Sequence, residues 1–73
     1  MPDQNRTYRK TEIVGSSQNG FEEAISNGLE RARKTIRHMD WFEVTEIRGY
    51  LGGDDEPGIQ WQVTMKVGFR VED

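Results

Sequence analysis

At 73 residues, with ten basic and thirteen acidic side chains, no cysteine and one histidine, the chain excludes disulfides, thiolate metal centres and a multi-histidine metal site within one subunit. Its net charge of −3 argues against a nucleic-acid binder, which carries a basic face to displace counterions. A chain this short buries only about 60% of its unfolded surface, so without covalent staples the common remedy is self-association.

The opening MPDQNR is polar, contains a proline and reads as a loose tail over 1–6, leaving 7–73 as a single domain. It holds no apolar core segment, and no apolar run elsewhere approaches the roughly 20 residues that span a bilayer. The expectation is a soluble, cytoplasmic protein with no membrane contact. TYRKTEIVG, 7–15, places Tyr8, Ile13 and Val14 among polar partners before a glycine and predicts a first strand.

In SSQNGFEEAISNGLERARKTIRHM, 16–39, the residues Phe21, Ala24, Ile25, Gly28, Ala32, Thr35 and Ile36 recur at three- and four-residue steps, one face of a helix. Ser16 or Ser17 is a candidate cap. Glu22 and Glu23 near the start, with Arg31, Arg33, Lys34 and Arg37 near the end, match the helix dipole. Gly28 falls on the apolar face, where a missing side chain permits close approach to a sheet. WFEVTEIRGYLGG, 41–53, is rich in β-branched and aromatic residues and is followed by the turn-forming DDEPG. The last segment, 59–71, alternates Ile59, Trp61, Val63, Met65, Val67, Phe69 and Val71 with polar or small residues.

The predicted fold is α+β: a β-α-β-β subunit whose three-stranded antiparallel sheet, in the order 1-3-2, packs on one helix. The other face of the sheet has no cover. Alternation assigns Phe42 and Val44 to the core and sends Trp41, Glu43 and Thr45 to the open face, together with Gln62 from the last strand. Past Glu46 the parity fails, and Gly49 is the candidate for a bulge that resets it.

Three readings of Trp41 stay open on pattern alone: it closes the bottom of the core, it contacts another subunit, or it stacks a flat heterocycle whose polar edge meets the Gln62 amide. Arg48 and Arg70 offer paired donors for a phosphate, although strand arginines are more often solvated. His38 beside Asp40 resembles a base with its orienting acid, but no nucleophile accompanies it. GSSQNG lacks the spacing of a phosphate-binding loop. Trp61 shares the side of Val63 and Met65 and reads as core or interface.

EIVGSS at 12–17, DWFEV at 40–44, EIRGYL at 46–51 and WQVTMKVGFR at 61–70 together resemble the dodecins, small flavin-binding proteins that assemble as hollow spheres of twelve subunits. The resemblance implies a homo-oligomer, a dodecamer, that stacks FMN or riboflavin between symmetry-related tryptophans at subunit interfaces and quenches it, with no catalysis. It further implies Trp41 as the stacking residue and Gln62 as the partner of the isoalloxazine edge. Arg48 and Arg70 match positions associated with the FMN phosphate. Some bacterial members also bind coenzyme A, so the alternative is a coenzyme A or general nucleotide carrier with flavin incidental. The chain departs from the simplest family pattern in its long acidic GGDDEPG hairpin and in Trp61, where a tyrosine is common.

Overall fold

In the computed structural model, which describes residues 5–55 and 57–71, the elements follow as β1 (Tyr8–Ser17), α1 (Phe21–Ala32), β2 (Met39–Leu51) and β3 (Ile59–Arg70). The strands form one antiparallel sheet in the order β1-β3-β2, as expected. The proposed tail falls partly on residues 1–4, outside the described residues, as do Glu56 of the hairpin and residues 72–73 at the end of the domain.

Two boundaries differ from the sequence reading. Ser16 and Ser17 are not caps but the end of β1, and the helix starts after Gly20 with no side-chain cap bond. The glutamate at the start of the helix takes over that anchoring. Ser17 Oγ and Asn19 Nδ2 both donate to Glu23 Oε2, while the Asn19 N–H donates to Ser17 Oγ at 2.9 Å. At the other end α1 stops at Ala32 instead of running to Met39. Tight turn bonds take the last carbonyls: Lys34 N–H to Arg31 O and Thr35 N–H to Ala32 O, each at 3.1 Å. The three- and four-residue spacing continues through these turns, which is why Thr35 and Ile36 look helical in sequence. His38 then adopts a left-handed φ of 62° and turns the chain into β2.

The core is small: Ala24, Val63 and Met65 are buried, with Ile13, Ile25, Leu29 and Trp61 packed against them. Trp61 stands edge-on to Phe21, with ring centroids 6.0 Å apart. Its place is therefore the helix side of the sheet. The helix lies on β1 and β3 and barely reaches β2. Close packing there depends on Gly15 and Gly28. A β-carbon on Gly15 would fall 2.0 Å from the Ala24 carbonyl oxygen, and one on Gly28 would fall 2.8 Å from Met65 Cε and 3.1 Å from Gly15 Cα.

Phe42 and Val44 do share the helix side of the sheet, opposite Val67 and Met65, but they are half-exposed and not core, because no helix lies over them. The parity shift of β2 is a bulge between Val44 and Glu46, with a second irregularity between Met39 and Trp41. Gly49 is not the bulge; it pairs in register with Trp61. The extra residue, Thr45, donates its hydroxyl to Thr64 O at 3.2 Å. With Thr45 set aside, Ile47 returns to the helix side opposite Val63 and Arg48 to the open side opposite Gln62.

Gly15→Ala is expected to destabilise the protein by about 1–3 kcal/mol, the range for an overpacked core, because the clash is with backbone. Gly28→Ala should fall at the low end, since a flexible methionine methyl can give way. Gly53→Ala, with nothing near its β-carbon position, should lie within about 0.5 kcal/mol of the parent. Denaturant midpoints rank the three, and equal midpoints for Gly15→Ala and Gly53→Ala would contradict this account of the packing.

Candidate functional site

The open face of the sheet collects the residues of one parity from all three strands. From β1 come Tyr8 and Lys10, from β3 Gln62, Lys66, Gly68 and Arg70, and from β2 Trp41, Glu43 and Arg48. Trp41 is thus outside the subunit core. It sits opposite Gly68, and a β-carbon on Gly68 would fall 2.3 to 2.5 Å from three atoms of the indole six-membered ring. Gly68 is the seat of the ring: only a residue without a side chain lets the indole lie against the strand.

Two further contacts fix the ring in that seat. Tyr8 meets it in a T-shaped contact, with ring centroids 5.1 Å apart and 65° between planes. The indole N–H donates to Glu43 Oε1 at 3.0 Å, and Lys10 reaches across β3 to place Nζ 2.6 Å from the same oxygen. The hydrogen bond from Lys10, and then that from Trp41, hold the Glu43 carboxyl below the ordinary carboxylate range. The Tyr8 hydroxyl is buried with no hydrogen-bond partner among the described residues.

A second group of site residues stands at the other end of the sheet. Arg48 Nε donates to Gln62 Oε1 at 2.9 Å, and the guanidinium carbon lies 5.2 Å from the centre of the Tyr50 ring. An arginine only donates, so the Gln62 oxygen is turned to Arg48 and the two amide hydrogens are left for another acceptor.

Arg70 belongs to the Trp41 end. Its Nη2 lies 2.9 Å from His38 Nδ1, and its backbone N–H donates to His38 O at 3.0 Å. Because arginine cannot accept, Nδ1 is the acceptor in this pair and the imidazole proton sits on Nε2. His38, six residues beyond the end of α1, thus braces Arg70.

The structure thus places Trp41 and Arg70 at one end of the sheet and bonds Gln62 to Arg48 at the other. Trp41 is opposite Gly68 and Arg48 is opposite Gln62, a separation of six residues along β3, or roughly 20 Å. No tricyclic ring stacked on Trp41 reaches Gln62 of the same chain. Sequence reasoning missed Gly68, Tyr8 and Glu43 as partners of the indole. The available signal was a glycine in mid-strand, which marks a close approach; nothing in the sequence marks Tyr8 or Glu43 for that part. Among the described residues no group of three or more His, Asp or Glu side chains gathers to hold a metal ion, and no helix is long and apolar enough to cross a membrane.

Gly68→Ala should lift the indole from its seat and expose it, seen as a red shift of tryptophan emission that Gly53→Ala does not give. The Glu43 contact sets a pH dependence of definite sign. A carboxylate whose folded-state pKa is depressed keeps its contribution above the unfolded value and loses it as pH falls through the folded one. The indole N–H resonance should therefore hold its position through the ordinary glutamate range and shift only below it. A shift centred at the ordinary glutamate value would contradict the contact.

Known proteins are similar to this chain in sequence and fold. The family model described as Dodecin matches residues 7–72. The dodecin of Thermus thermophilus is 54% identical over 69 residues, covering 93% of this chain and 96% of that protein. Among solved structures, the dodecin from Streptomyces davaonensis is 53% identical with a TM-score of 0.85, covering 96% of this chain and 100% of the other. The dodecin from Streptomyces coelicolor is 46% identical with a TM-score of 0.86, covering 97% of this chain and 99% of the other.

Proposed function

The chain belongs to the dodecin family, and from that premise we propose that it stores flavin: a self-assembling subunit that stacks FMN or riboflavin on Trp41 where subunits meet, and quenches it. The observation that carries this reading is the indole of Trp41, seated on Gly68 outside the core and pinned by Tyr8 and Glu43. A side chain held so firmly on an uncovered face is organised for a planar partner, since the ordering is complete before the ligand arrives.

The separation of the two residue pairs sets the architecture. A ring on Trp41 of one subunit meets the amide hydrogens of Gln62 only if a second subunit supplies them. The sheet provides a reason for subunits to meet. Phe42, Val44, Ile47, Leu51 and Ile59 are 41–79% exposed on the helix side of β2 and β3, an apolar row that other copies would bury. The family's dodecamer meets this need. The chemistry of the donor set fits a flavin: amide hydrogens for ring carbonyls from Gln62, and guanidinium groups for a phosphate from Arg48 and Arg70.

A bound flavin supplies a light-absorbing, electron-accepting ring. Trp41 would supply the electron-rich partner that returns it to its ground state without reaction, and the carboxylate beside it, Glu43, is already taken up by the indole N–H and Lys10. The role is sequestration and not turnover.

A second reading, a coenzyme A or general nucleotide carrier, draws on a groove of about 400 Å³ lined by Arg9, Arg37 and Arg70 with Ile36, Phe69 and Val71. If phosphate contacts dominated, FMN would bind far better than riboflavin and salt would weaken it sharply.

Ligand-free protein titrated with riboflavin, and separately with FMN, is expected to quench flavin emission almost completely for both. Trp41→Ala should abolish most of the quenching and binding while assembly, followed by light scattering, stays intact. A Trp41→Ala protein that binds and quenches like the parent would overturn the stacking site. Arg48→Ala and Arg70→Ala should weaken FMN more than riboflavin, and equal losses for the two ligands would remove the phosphate role.

A further inference from the structure

Trp41 is one of two partners in a contact whose chemistry goes beyond position. Its N–H is held by a carboxylate, although the ring is already seated by Gly68 and braced by Tyr8. A neutral acceptor would suffice for holding. The acceptor is ionic, and its surroundings keep it so: Lys10 from β1 lies on the same oxygen, and Lys66 of β3 stands opposite Glu43 in register. The carboxylate of Glu43 therefore remains charged beside the indole edge.

We propose that Glu43 is the electrostatic partner of Trp41 in quenching, its negative charge stabilising the positive charge left on the indole when an electron passes to a stacked ring. The inference rests on the flavin reading. The step is balanced within the pair. One electron leaves the indole for the excited ring and then returns; the indole is oxidised and reduced again. No bond breaks and the N–H proton stays in its hydrogen bond to Glu43. A charged acceptor strengthens that bond as positive charge grows on the ring, since charge-assisted hydrogen bonds are about twice as strong as neutral ones. Lys10 and Lys66 act in the opposite sense on the field but secure the ionisation and the aim of the carboxylate.

Glu43→Gln tests this, because an amide keeps an acceptor of the same shape and removes the charge. A role in holding the ring would appear in affinity; a role in electron transfer appears in the excited state. With riboflavin, which carries no phosphate, the excited-state lifetime of the bound ring, read at saturating protein so that any change in affinity drops out, is expected to lengthen severalfold in Glu43→Gln.

A second readout needs no flavin. The one-electron oxidation potential of Trp41 in ligand-free protein, read against Trp41→Phe to remove the Trp61 signal, should rise in Glu43→Gln. An unchanged lifetime together with an unchanged potential would overturn the proposal, and so would a loss of affinity that accounts for the whole loss of quenching. Failure of the parent protein to bind riboflavin would instead remove the flavin reading, and the potential alone would then decide whether Glu43 tunes the indole.

Discussion

A helix of twelve residues cannot cover a sheet whose outer strand has thirteen. At about 1.5 Å per residue against about 3.3 Å, α1 spans less than half the length of β2. It is also drawn to one side, because the Gly15 and Gly28 backbones lock it over β1 and β3. Everything distinctive in the subunit follows from that mismatch. Val63 and Met65 are buried with Ala24 of the helix, while Phe42, Val44, Ile47 and Leu51, on the same side of the sheet, are left exposed. The subunit has the apolar residues of a larger core but only enough helix for a small one, which is the condition in which further copies supply the rest.

The same long sheet acts as a ruler for the site. β3 pairs with both neighbours along most of its length, so its residues fix the separation of groups on β1 and β2. Trp41 is tied to the Gly68 end and Arg48 to the Gln62 end. The bulge at Thr45 matters here. Without it, Arg48 would sit on the helix side, and Ile47 would sit on the open face among hydrogen-bonding groups. One inserted residue therefore serves both surfaces of β2 at once, keeping the apolar row continuous on one and the polar pair intact on the other.

Much of this is legible in the sequence, and the limits have physical causes. Strict alternation in β3 marks its core side directly, and the same alternation places Trp41 outside the core with Gln62 on its face. The spacing of Gly28 on the helical stripe announces a close approach, though not that Gly15 is the other half of it. The helix reads too long because Thr35 and Ile36 continue its period through a turn that period alone cannot distinguish from helix. Gly49 looks like the bulge because glycine is the usual marker, whereas Thr45 forms it with its hydroxyl on a neighbouring carbonyl. Alternation puts Phe42 and Val44 in the core because parity says which side a residue faces and not whether anything lies over it. The distance between Trp41 and Gln62 is hidden for a related reason: sharing a face is a statement of parity, while sharing a site is a statement of register.

The two uncovered surfaces differ in chemistry. The row on the helix side of β2 is apolar from Phe42 to Leu51 at every inward position save Gly49, and it carries no charge. Such a surface resembles a domain core cut open and suits permanent burial against other copies. The open face instead sets the Trp41 ring among alternating charges, with Glu12, Lys66 and Glu43 in line across the sheet and Lys10 bridging to Glu43, while Tyr50 stands at the far end beside the Arg48 guanidinium. Those groups stay solvated when nothing is bound, so the indole is not part of an extended sticky patch. If Trp41 takes a planar ligand as proposed, one ring with a few directional partners receives it, and a second copy that brings its own Gln62 meets this face through polar groups. One three-stranded sheet thus carries an apolar row on one side and a polar face bearing Trp41 on the other, and the helix, short and confined to β1 and β3, leaves both uncovered.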